Sequence, residues 1–458
     1  MGEASASRWA GETFGGAALG DIRRVRRLVS MAAAAACQPA GTVCGTFDTA
    51  ARREGAFRLL ENGEIRTEAI AGAMFEATAR RAGASRRVLV AVDWSSLTLA
   101  DRARRREIGR IGSTRMPCRG LHVQSALAMD EKGAALGLLD QRWWSWNDAA
   151  GGGRNRKCHG RSYLKRTTRH WVDGLDEMQQ RLGGRARAWY QLDRGADCWP
   201  LLRMAVEEKL LLTVRSRCDR RLLDVKGKRR FLDSTLRRAP ELGRFELELP
   251  ARGTKPSRMT TLVVRAARVP IFVRVASKRR EVIEMNAVLV EEPRGAGDRL
   301  SWQLLTTHPI KTFAHAKAVA DAYTTRWRVE DFHRTWKRGL CNVEKTQLQS
   351  RAAITKWATI LAAVAARAVR LANLYRTAPT QPAETEFTED ELDALFLLRR
   401  QKRDKTARFT VAEIIALIAE NGGWSKYSPK NPGPTVLGRG LERMTIFAEA
   451  IAALREMR

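Results

Sequence analysis

Four polar residues with a fixed spacing stand out near residue 330 of the 458-residue chain. They are Tyr323, Arg326, Glu330 and Lys337. At about 100° per residue, one continuous helix would place all four on a stripe roughly 60° wide. On that stripe a carboxylate could hold a cation, while the arginine, lysine and phenol clamp phosphate oxygens beside it. A solvent-exposed ion pair between Arg326 and Glu330 explains less, because it leaves the tyrosine and the second cation without a role.

Two aspartates could complete this chemistry. Asp93 follows the continuous apolar run 88–92, and Asp193 follows the mostly apolar run 186–192. Both runs are typical of buried strands, and sites in open α/β sheets form at the carboxyl ends of strands. Either acid alone could instead cap a turn, and the segment from Asp193 to Asp197 could cap the following helix. Together with Glu330, however, the two aspartates would give three carboxylates.

Three carboxylates favour hard cations over zinc. Oxygen ligands of this type select Mg²⁺ or Mn²⁺. Two such ions in one site can support in-line phosphoryl transfer. We therefore expect Asp93, Asp193 and Glu330 to be both catalytic residues and metal ligands.

The charge of the chain indicates a polyanionic partner. It has 82 Lys and Arg against 50 Asp and Glu, a net charge of +32 and a pI near 10.9. Two arginine-rich stretches, 102–119 and 154–169, are expected to contact phosphates. A membrane surface fits less well, because the sequence has no lipidation motif and no apolar stretch near the ~20 residues of a membrane span.

The amino terminus and the cysteines favour a reduced cytoplasmic compartment. The first residues lack the apolar segment of a signal peptide. The seven cysteines include no Cys-x-x-Cys pair, so neither a disulfide framework nor a zinc ribbon can be recognised. Cys158 and His159 are adjacent, but no second pair with ligand spacing accompanies them.

The chain divides into three predicted regions. Residues 1–78 are helical and contain an arginine cluster that includes Arg27, Arg53 and Arg58, so this region is a DNA-reading module or a plain helical cap. Residues 79–375 alternate strands and helices, with a β-rich insertion at 219–305. Residues 376–458 form a helical tail that begins with a Pro-rich linker near 377–386. The predicted fold is therefore α/β, flanked by helical regions.

The Tyr-(2)-Arg-(3)-Glu-(6)-Lys spacing, together with the residues around it, resembles the signature of the IS4 group of bacterial insertion-sequence transposases. Similarity extends to 16–24, to 53–58 and to 302–307. The resemblance implies a ribonuclease-H-like core with a DDE triad at Asp93, Asp193 and Glu330. It also implies that Tyr323, Arg326 and Lys337 hold phosphates around the cleavage site.

Further residues follow from the same resemblance. Trp302, at the end of the insertion, matches a tryptophan that stacks on a flipped base. Arg215 matches an arginine near the cleaved end, and His333 lies beside the predicted stripe, facing either DNA or the surface. The family motif Asp-Arg-Glu-Ala-Asp has Gly195 in place of its glutamate, which weakens any role for that position but not for Asp193.

The resemblance also implies the activity and its partners. We expect a bacterial, nucleoid-associated DNA transposase that uses two Mg²⁺ or Mn²⁺ ions per active site. Its partners would be double-stranded transposon ends, target DNA and a second copy of the chain in a synaptic complex. Cleavage of the ends would pass through a hairpin intermediate. Two alternatives remain open: a non-catalytic DNA-binding protein derived from such an element, and a metal-dependent nuclease on the same core.

Overall fold

Five helices open the chain. The computed structural model describes residues 2–101, 106–112, 117–145, 168–223, 229–249, 257–274, 280–293, 299–428 and 430–456. The first helices are α1 (Gly2–Phe14), α2 (Ile22–Cys37), α3 (Val43–Thr46), α4 (Ala50–Glu61) and α5 (Thr67–Ala82). Asp21 caps α2 by accepting from the Arg23 N–H, and Thr49 caps α4 through the Arg52 N–H. The predicted helical amino-terminal region is therefore confirmed.

A mixed sheet follows. Its core strands are β1 (Arg87–Thr98), β2 (Gly109–Gly112), β3 (Pro117–Met129), β4 (Ala135–Trp144), β5 (Arg187–Leu192) and β6 (Leu211–Arg215). β3 is antiparallel to β1 and β4, whereas β1, β5 and β6 are parallel neighbours. Helix α6 (Arg169–Leu182) leads from β4 to β5, and α7 (Trp199–Glu207) connects the parallel strands β5 and β6. This strand order is that of the expected ribonuclease-H-like core.

The predicted β-rich insertion extends the core sheet rather than forming a separate layer. It contains β7 (Arg221–Leu223), β8 (Arg229–Phe231), α8 (Leu232–Arg238), β9 (Glu241–Leu249), β10 (Arg258–Arg274), β11 (Arg280–Glu291) and β12 (Ser301–Thr306). β12 pairs antiparallel with β6, so one sheet of 12 strands runs through the described residues. The insertion is therefore joined to the core by backbone hydrogen bonds.

The helix expected to carry the four-residue signature is divided. α9 (Phe313–Thr324) ends just after Tyr323, and α10 (Trp327–Lys337) begins just after Arg326. Between them, Arg326 N–H donates to the Tyr323 carbonyl and Val329 N–H to the Arg326 carbonyl, which are i, i+3 bonds. This tighter winding changes the angular positions calculated for one continuous helix.

Helix α11 (Arg351–Thr377) is the centre of the fold. It is long and apolar enough to cross a membrane, but 89% of that segment is buried within the protein. Lys356, itself buried, donates to the Leu60 and Asn62 carbonyls. Trp357 Nε1 donates to the Gly41 carbonyl. The amino-terminal helices therefore pack on α11 and share one hydrophobic core with it.

Helices α12 (Glu389–Leu398), α13 (Val411–Asn421) and α14 (Pro434–Glu456) form the carboxyl-terminal region. The segment predicted as a linker before them is held in place. Ala383 N–H donates to the Phe409 carbonyl, and Ala383 and Phe387 are buried in the cluster that these helices form. The segment is therefore part of the folded carboxyl-terminal region and not a free linker.

Candidate active site

The two aspartates lie side by side on neighbouring parallel strands. β1 pairs with β5 up to Val92 and Leu192, and Asp93 and Asp193 are the next residues on each strand. Parallel neighbours are about 4.8 Å apart. β1 continues to Thr98, so Asp93 lies within its strand rather than at its end. The two acids still meet at the carboxyl end of the shared ladder, as the sequence predicts.

Arg326 joins this pair to the third acid. Its Nη1 donates to Asp93 Oδ2 at 3.3 Å, and its Nη2 donates to Glu330 Oε1 at 2.6 Å. The arginine and aspartate side chains are only 10% and 14% exposed, whereas Glu330 is 48% exposed. The predicted i, i+4 pair between Arg326 and Glu330 therefore exists, with its arginine buried against Asp93 and its glutamate half exposed.

The charge balance of the site is negative. Burial raises the pKa of Asp93 from 3.8 to about 7; Arg326 opposes the rise, and the charges of Asp193 and Glu330 add to it. The Trp94 N–H, which donates to Asp93 Oδ1 at 2.9 Å, also favours the ionised form. Burial lowers the pKa of Arg326, but Tyr323 and the carboxylates outweigh that effect and raise it overall. The three carboxylates therefore outnumber the one guanidinium that contacts them directly.

These residues fit a hard divalent cation by donor type and by charge. Carboxylate oxygens suit Mg²⁺ and Mn²⁺, and a cation there would oppose the burial and the carboxylate repulsion that together raise the pKa of Asp93. Across the described ranges, no three His, Cys, Asp or Glu side chains form a preassembled metal site. The guanidinium of Arg326 lies against Asp93 and Glu330 instead.

Asp193 and Asp197 have different surroundings. Asp193 Oδ1 accepts from the Gly195 N–H at 2.8 Å, which holds its carboxylate at the start of a short turn. Asp197 is buried, pairs with Arg220 and accepts from the Arg217 N–H at 2.7 Å. Asp197 therefore stabilises the chain beyond β6, and Asp193 remains the acid at the site. The glycine at 195 contributes through its backbone N–H.

The rest of the four-residue signature also contacts this region. Lys337 Nζ donates to Ser95 Oγ at 3.1 Å, two residues beyond Asp93. Tyr323 is buried and shares a hydrogen bond with Arg326. Burial raises the pKa of the Tyr323 phenol, so it stays protonated as a potential donor. Although the helix is divided, its two parts bring all four residues to one edge of the sheet.

Arg215 lies close to the same charges. It ends β6, and its Nη2 donates to the Ser301 carbonyl at 3.1 Å. Burial and Arg194 lower the pKa of Arg215, while Tyr323 and Asp193 oppose that change. Its guanidinium therefore belongs to the electrostatic environment of the carboxylates, and its contact with the cleaved end stays a prediction.

Two residues expected at DNA are buried in this structure. Trp302 is 3% exposed, with edge contacts to Tyr323 and Trp327 at ring distances of 5.5 and 6.2 Å. His333 is 6% exposed beside Phe332, and burial lowers its pKa to about 3. The position of His333 near the predicted stripe is thus misleading, because that side of α10 packs inward. Both residues have packing roles here, and their DNA contacts stay predictions.

The amino-terminal arginines separate into two groups. A groove of about 370 Å³ runs between α2 and α4, and four arginines line it: Arg23, Arg24, Arg27 and Arg58. Arg53 is not among them. Its Nη1 donates to the Phe47 and Asp48 carbonyls, at 3.3 and 2.9 Å, and fixes the chain before α4. Arg27 and Arg58 thus face the groove, although Glu54 also lines it and accepts from Arg58 Nη2 at 2.5 Å, whereas Arg53 lies outside the groove and contacts the backbone.

Sequence reasoning missed three neighbours of the site. Ser95 contacts Lys337, and Glu344 lies against both Lys337 and the end of β1. Trp94 directly follows Asp93, is 43% exposed and stacks on His122. Trp94 could have been predicted as a neighbour of the site because it directly follows Asp93 in the sequence. Glu344 could not, because it lies in a turn whose position depends on tertiary packing.

Most of the two arginine-rich stretches, together with Cys158 and His159, lies outside the described residues. Within the described part of the first stretch, Arg119 Nε donates to Asp101 Oδ2 at 2.8 Å and its Nη2 donates to the Ile108 carbonyl. This arginine is thus committed to a structural pair in the region where phosphate contacts were expected.

Comparison with known families gives two matches. Residues 6–65 match a family described as transposase DNA-binding, which covers α2, α4 and their basic groove. Residues 202–366 match a family described as transposase DDE domain, which includes Glu330 and begins after Asp193. An amino-terminal DNA-binding segment is followed by a DDE domain, and two aspartates from neighbouring strands lie beside the matched glutamate. This combination supports a DDE transposase.

Proposed function

We propose that the chain is a cut-and-paste DNA transposase of the IS4 group, resembling the Tn5 transposase. One observation carries this proposal: Arg326 contacts Asp93 and Glu330 where Asp93 adjoins Asp193. Acids separated by 100 and 137 positions in the sequence thus surround one cationic group. Such an arrangement costs stability, as the raised pKa of Asp93 indicates, and costs of this kind are common at active sites.

Asp93, Asp193 and Glu330 are the catalytic acids in this proposal. They would hold two Mg²⁺ or Mn²⁺ ions, which when bound supply Lewis acidity for phosphoryl transfer. Arg326, Lys337 and the Tyr323 hydroxyl would bind oxygens of the phosphate being cut. Arg215 would bind a neighbouring phosphate. Contacts within the protein hold these groups beside the carboxylates, and Arg326 would exchange its contacts with Asp93 and Glu330 for phosphate oxygens when DNA binds.

The proposed transposition reaction has four steps. Water cuts one strand at the transposon end, and the freed 3′-hydroxyl attacks the opposite strand to leave a hairpin. Water reopens the hairpin, and the same 3′-hydroxyl then attacks target DNA. Stacking of a flipped base on Trp302 would require that residue to leave its packing against Tyr323 and Trp327.

Two regions would supply the partners. The arginine-lined groove between α2 and α4 would bind the end DNA, because its exposed guanidinium groups can reach phosphates or base edges. Residues 376–458 would contribute to a homodimer that aligns two ends. We place the protein in the bacterial cytoplasm, at the nucleoid.

The test begins with DNA binding in EDTA. The full chain is used to select duplexes from a random-sequence pool, and the selected duplex is then labelled and incubated with Mg²⁺ or Mn²⁺ and a target plasmid. We expect nicks, a fold-back product on denaturing gels, and insertion into the plasmid. Binding without cleavage would indicate a non-catalytic protein, and cleavage without joining would indicate a nuclease.

Three substitutions examine the acids separately from binding. Asp93→Ala, Asp193→Ala and Glu330→Ala should each abolish nicking and leave the affinity for the selected duplex within about 3-fold. Asp331→Asn is the matched control, because Asp331 lies beside Glu330 on the same helix and pairs with Arg334. Equal loss of binding and cleavage in the three variants would contradict the triad.

A further inference from the structure

Glu344 connects three parts of the candidate site. It lies in a short turn (Val343–Lys345) between α10 and α11, and its side chain is 9% exposed. Its Oε1 accepts from the Thr98 N–H at 2.9 Å and lies 3.7 Å from Lys337 Nζ. Its Oε2 accepts from Arg338 Nε at 2.6 Å. One nearly buried carboxylate therefore joins the end of β1 to two consecutive cations at the end of α10.

The lysine in this arrangement needs such a partner. Burial lowers the pKa of Lys337 and Arg338 adds to the effect, while Glu344 opposes both. A lysine side chain has four flexible carbons and a single point charge, so one contact does not fix its ammonium group. Here Ser95 and Glu344 both contact Nζ, at 3.1 and 3.7 Å. Of these two, only Glu344 supplies charge.

The turn that carries Glu344 is itself fixed by the amino-terminal region. Asn342, just before the turn, has a positive φ of 47°. Its carbonyl lies so close to Gly41 that a Cβ on that glycine would be 2.0 Å from the Asn342 oxygen. The Gly41 carbonyl in turn accepts from Trp357 Nε1 at 3.0 Å. Glu344 is thus held between β1 and the helical region that contains the basic groove.

We propose that Glu344 is a positioning residue that holds the Lys337 ammonium beside Ser95, where it meets the phosphate being cut. This inference rests on the proposed function, because that function supplies the phosphate that Lys337 contacts. Glu344 itself is assigned no phosphate contact. Its carboxylate would repel a phosphate, and its oxygens are already occupied by Thr98, Lys337 and Arg338. Its effect on cleavage should therefore depend on the presence of Lys337.

A double-mutant cycle tests that dependence. The full chain is prepared as wild type, Glu344→Gln, Lys337→Met and the double variant. For each we measure the single-turnover nicking rate with Mg²⁺ on the selected duplex, the affinity in EDTA and the melting temperature. We expect Glu344→Gln to slow nicking about 10- to 100-fold, the usual cost of a misplaced catalytic group, with affinity changed less than about 3-fold. In the Lys337→Met background the same substitution should change the rate less than about 2-fold.

Two further variants separate positioning from stability. Glu344→Asp keeps the charge on a shorter stem and should nick faster than Glu344→Gln. Glu386→Gln is the matched control: it removes a similarly buried Glu–Arg pair, in which Arg370 contacts Glu386 at 2.5 and 3.0 Å, remote in sequence from the site residues. It should lower the melting temperature and leave the nicking rate unchanged.

The outcomes are distinct. Multiplicative rate losses in the double variant, or equal losses of affinity and rate in Glu344→Gln, would overturn the positioning role. A rate loss of the same size in Glu386→Gln would do so as well, because it would show a general effect of stability. If the wild-type chain does not nick the selected duplex with either cation, the proposed function fails, and the inference falls with it.

Discussion

Asp93→Asn should stabilise the metal-free protein, and the gain should grow as the pH rises. The pKa of Asp93 is raised from 3.8 to about 7, by burial first and by its carboxylate neighbours second. Between those two values the folded protein retains a proton that the unfolded chain releases. The stability of the wild type therefore falls as the pH rises through this interval. Asparagine is similar in shape to the protonated acid and does not ionise, so the variant avoids that loss.

The magnitude follows from the size of the pKa change. At 1.36 kcal/mol per pH unit, the charging cost of Asp93 is about 1.6 kcal/mol at pH 5 and about 4 kcal/mol at pH 8. The opposing attraction of Arg326 is already contained in the pKa of about 7. For a chain of 458 residues, an unfolding entropy of about 1 kcal/mol/K converts 4 kcal/mol into roughly 4 °C of melting temperature.

Calorimetry in EDTA at pH 5 and pH 8, at one ionic strength, measures this difference. Mg²⁺ should then raise the melting temperature of the wild type at pH 8 and affect Asp93→Asn less. Asp404→Asn is a control of opposite sign, because hydrogen bonds from Thr406 lower the pKa of Asp404. The reasoning is refuted if Asp93→Asn melts no higher than the wild type at pH 8, or if its gain is equal at both pH values.

Three more substitutions have definite expected results. Arg326→Ala should raise the pKa of Asp93 further and slow nicking at least about 100-fold, while the affinity for the selected duplex in EDTA is retained. A normal nicking rate in this variant would contradict the assignment of Arg326 to the active site. Asp197→Asn breaks a buried pair with Arg220 and should cost about 3–5 kcal/mol in thermal unfolding. Lys356→Met leaves two carbonyls without their donor and should cost about 1–3 kcal/mol, with faster proteolysis in the amino-terminal helices if that region loosens.

The parts of the site that depend on local pattern could be predicted from the sequence. Apolar runs identified β1 and β5, and the acids that follow them are adjacent because parallel strands align their carboxyl ends. The pairing of Arg326 with Glu330 also follows from i, i+4 spacing. These relations involve neighbours in sequence or a rule of sheet topology. They therefore do not depend on how distant segments pack.

Features that depend on tertiary packing could not be predicted in this way. Helical periodicity placed His333 beside the predicted stripe, and the family resemblance placed Trp302 at the DNA, yet helix and sheet packing buries both. Glu344 contacts the site only because its turn lies against Gly41, a residue about 300 positions away in sequence. The division of the helix at Thr325 and Arg326 could not be predicted from the sequence either, because no glycine or proline lies there.

Arg326 shows how the chain keeps three like charges together. At the edge of the sheet, Arg326 contacts two of the three carboxylates, and solvent partly screens this group because Glu330 is half exposed. Without the arginine, the nearly buried Asp93 would face only like charges and would protonate more readily. With it, the acids stay together, and the remaining negative charge favours a divalent cation. The same guanidinium has the fork geometry that binds phosphate, so incoming DNA competes with the carboxylates for it. Arg326→Lys would keep the charge but lose that geometry, and it should therefore preserve the melting temperature better than the nicking rate.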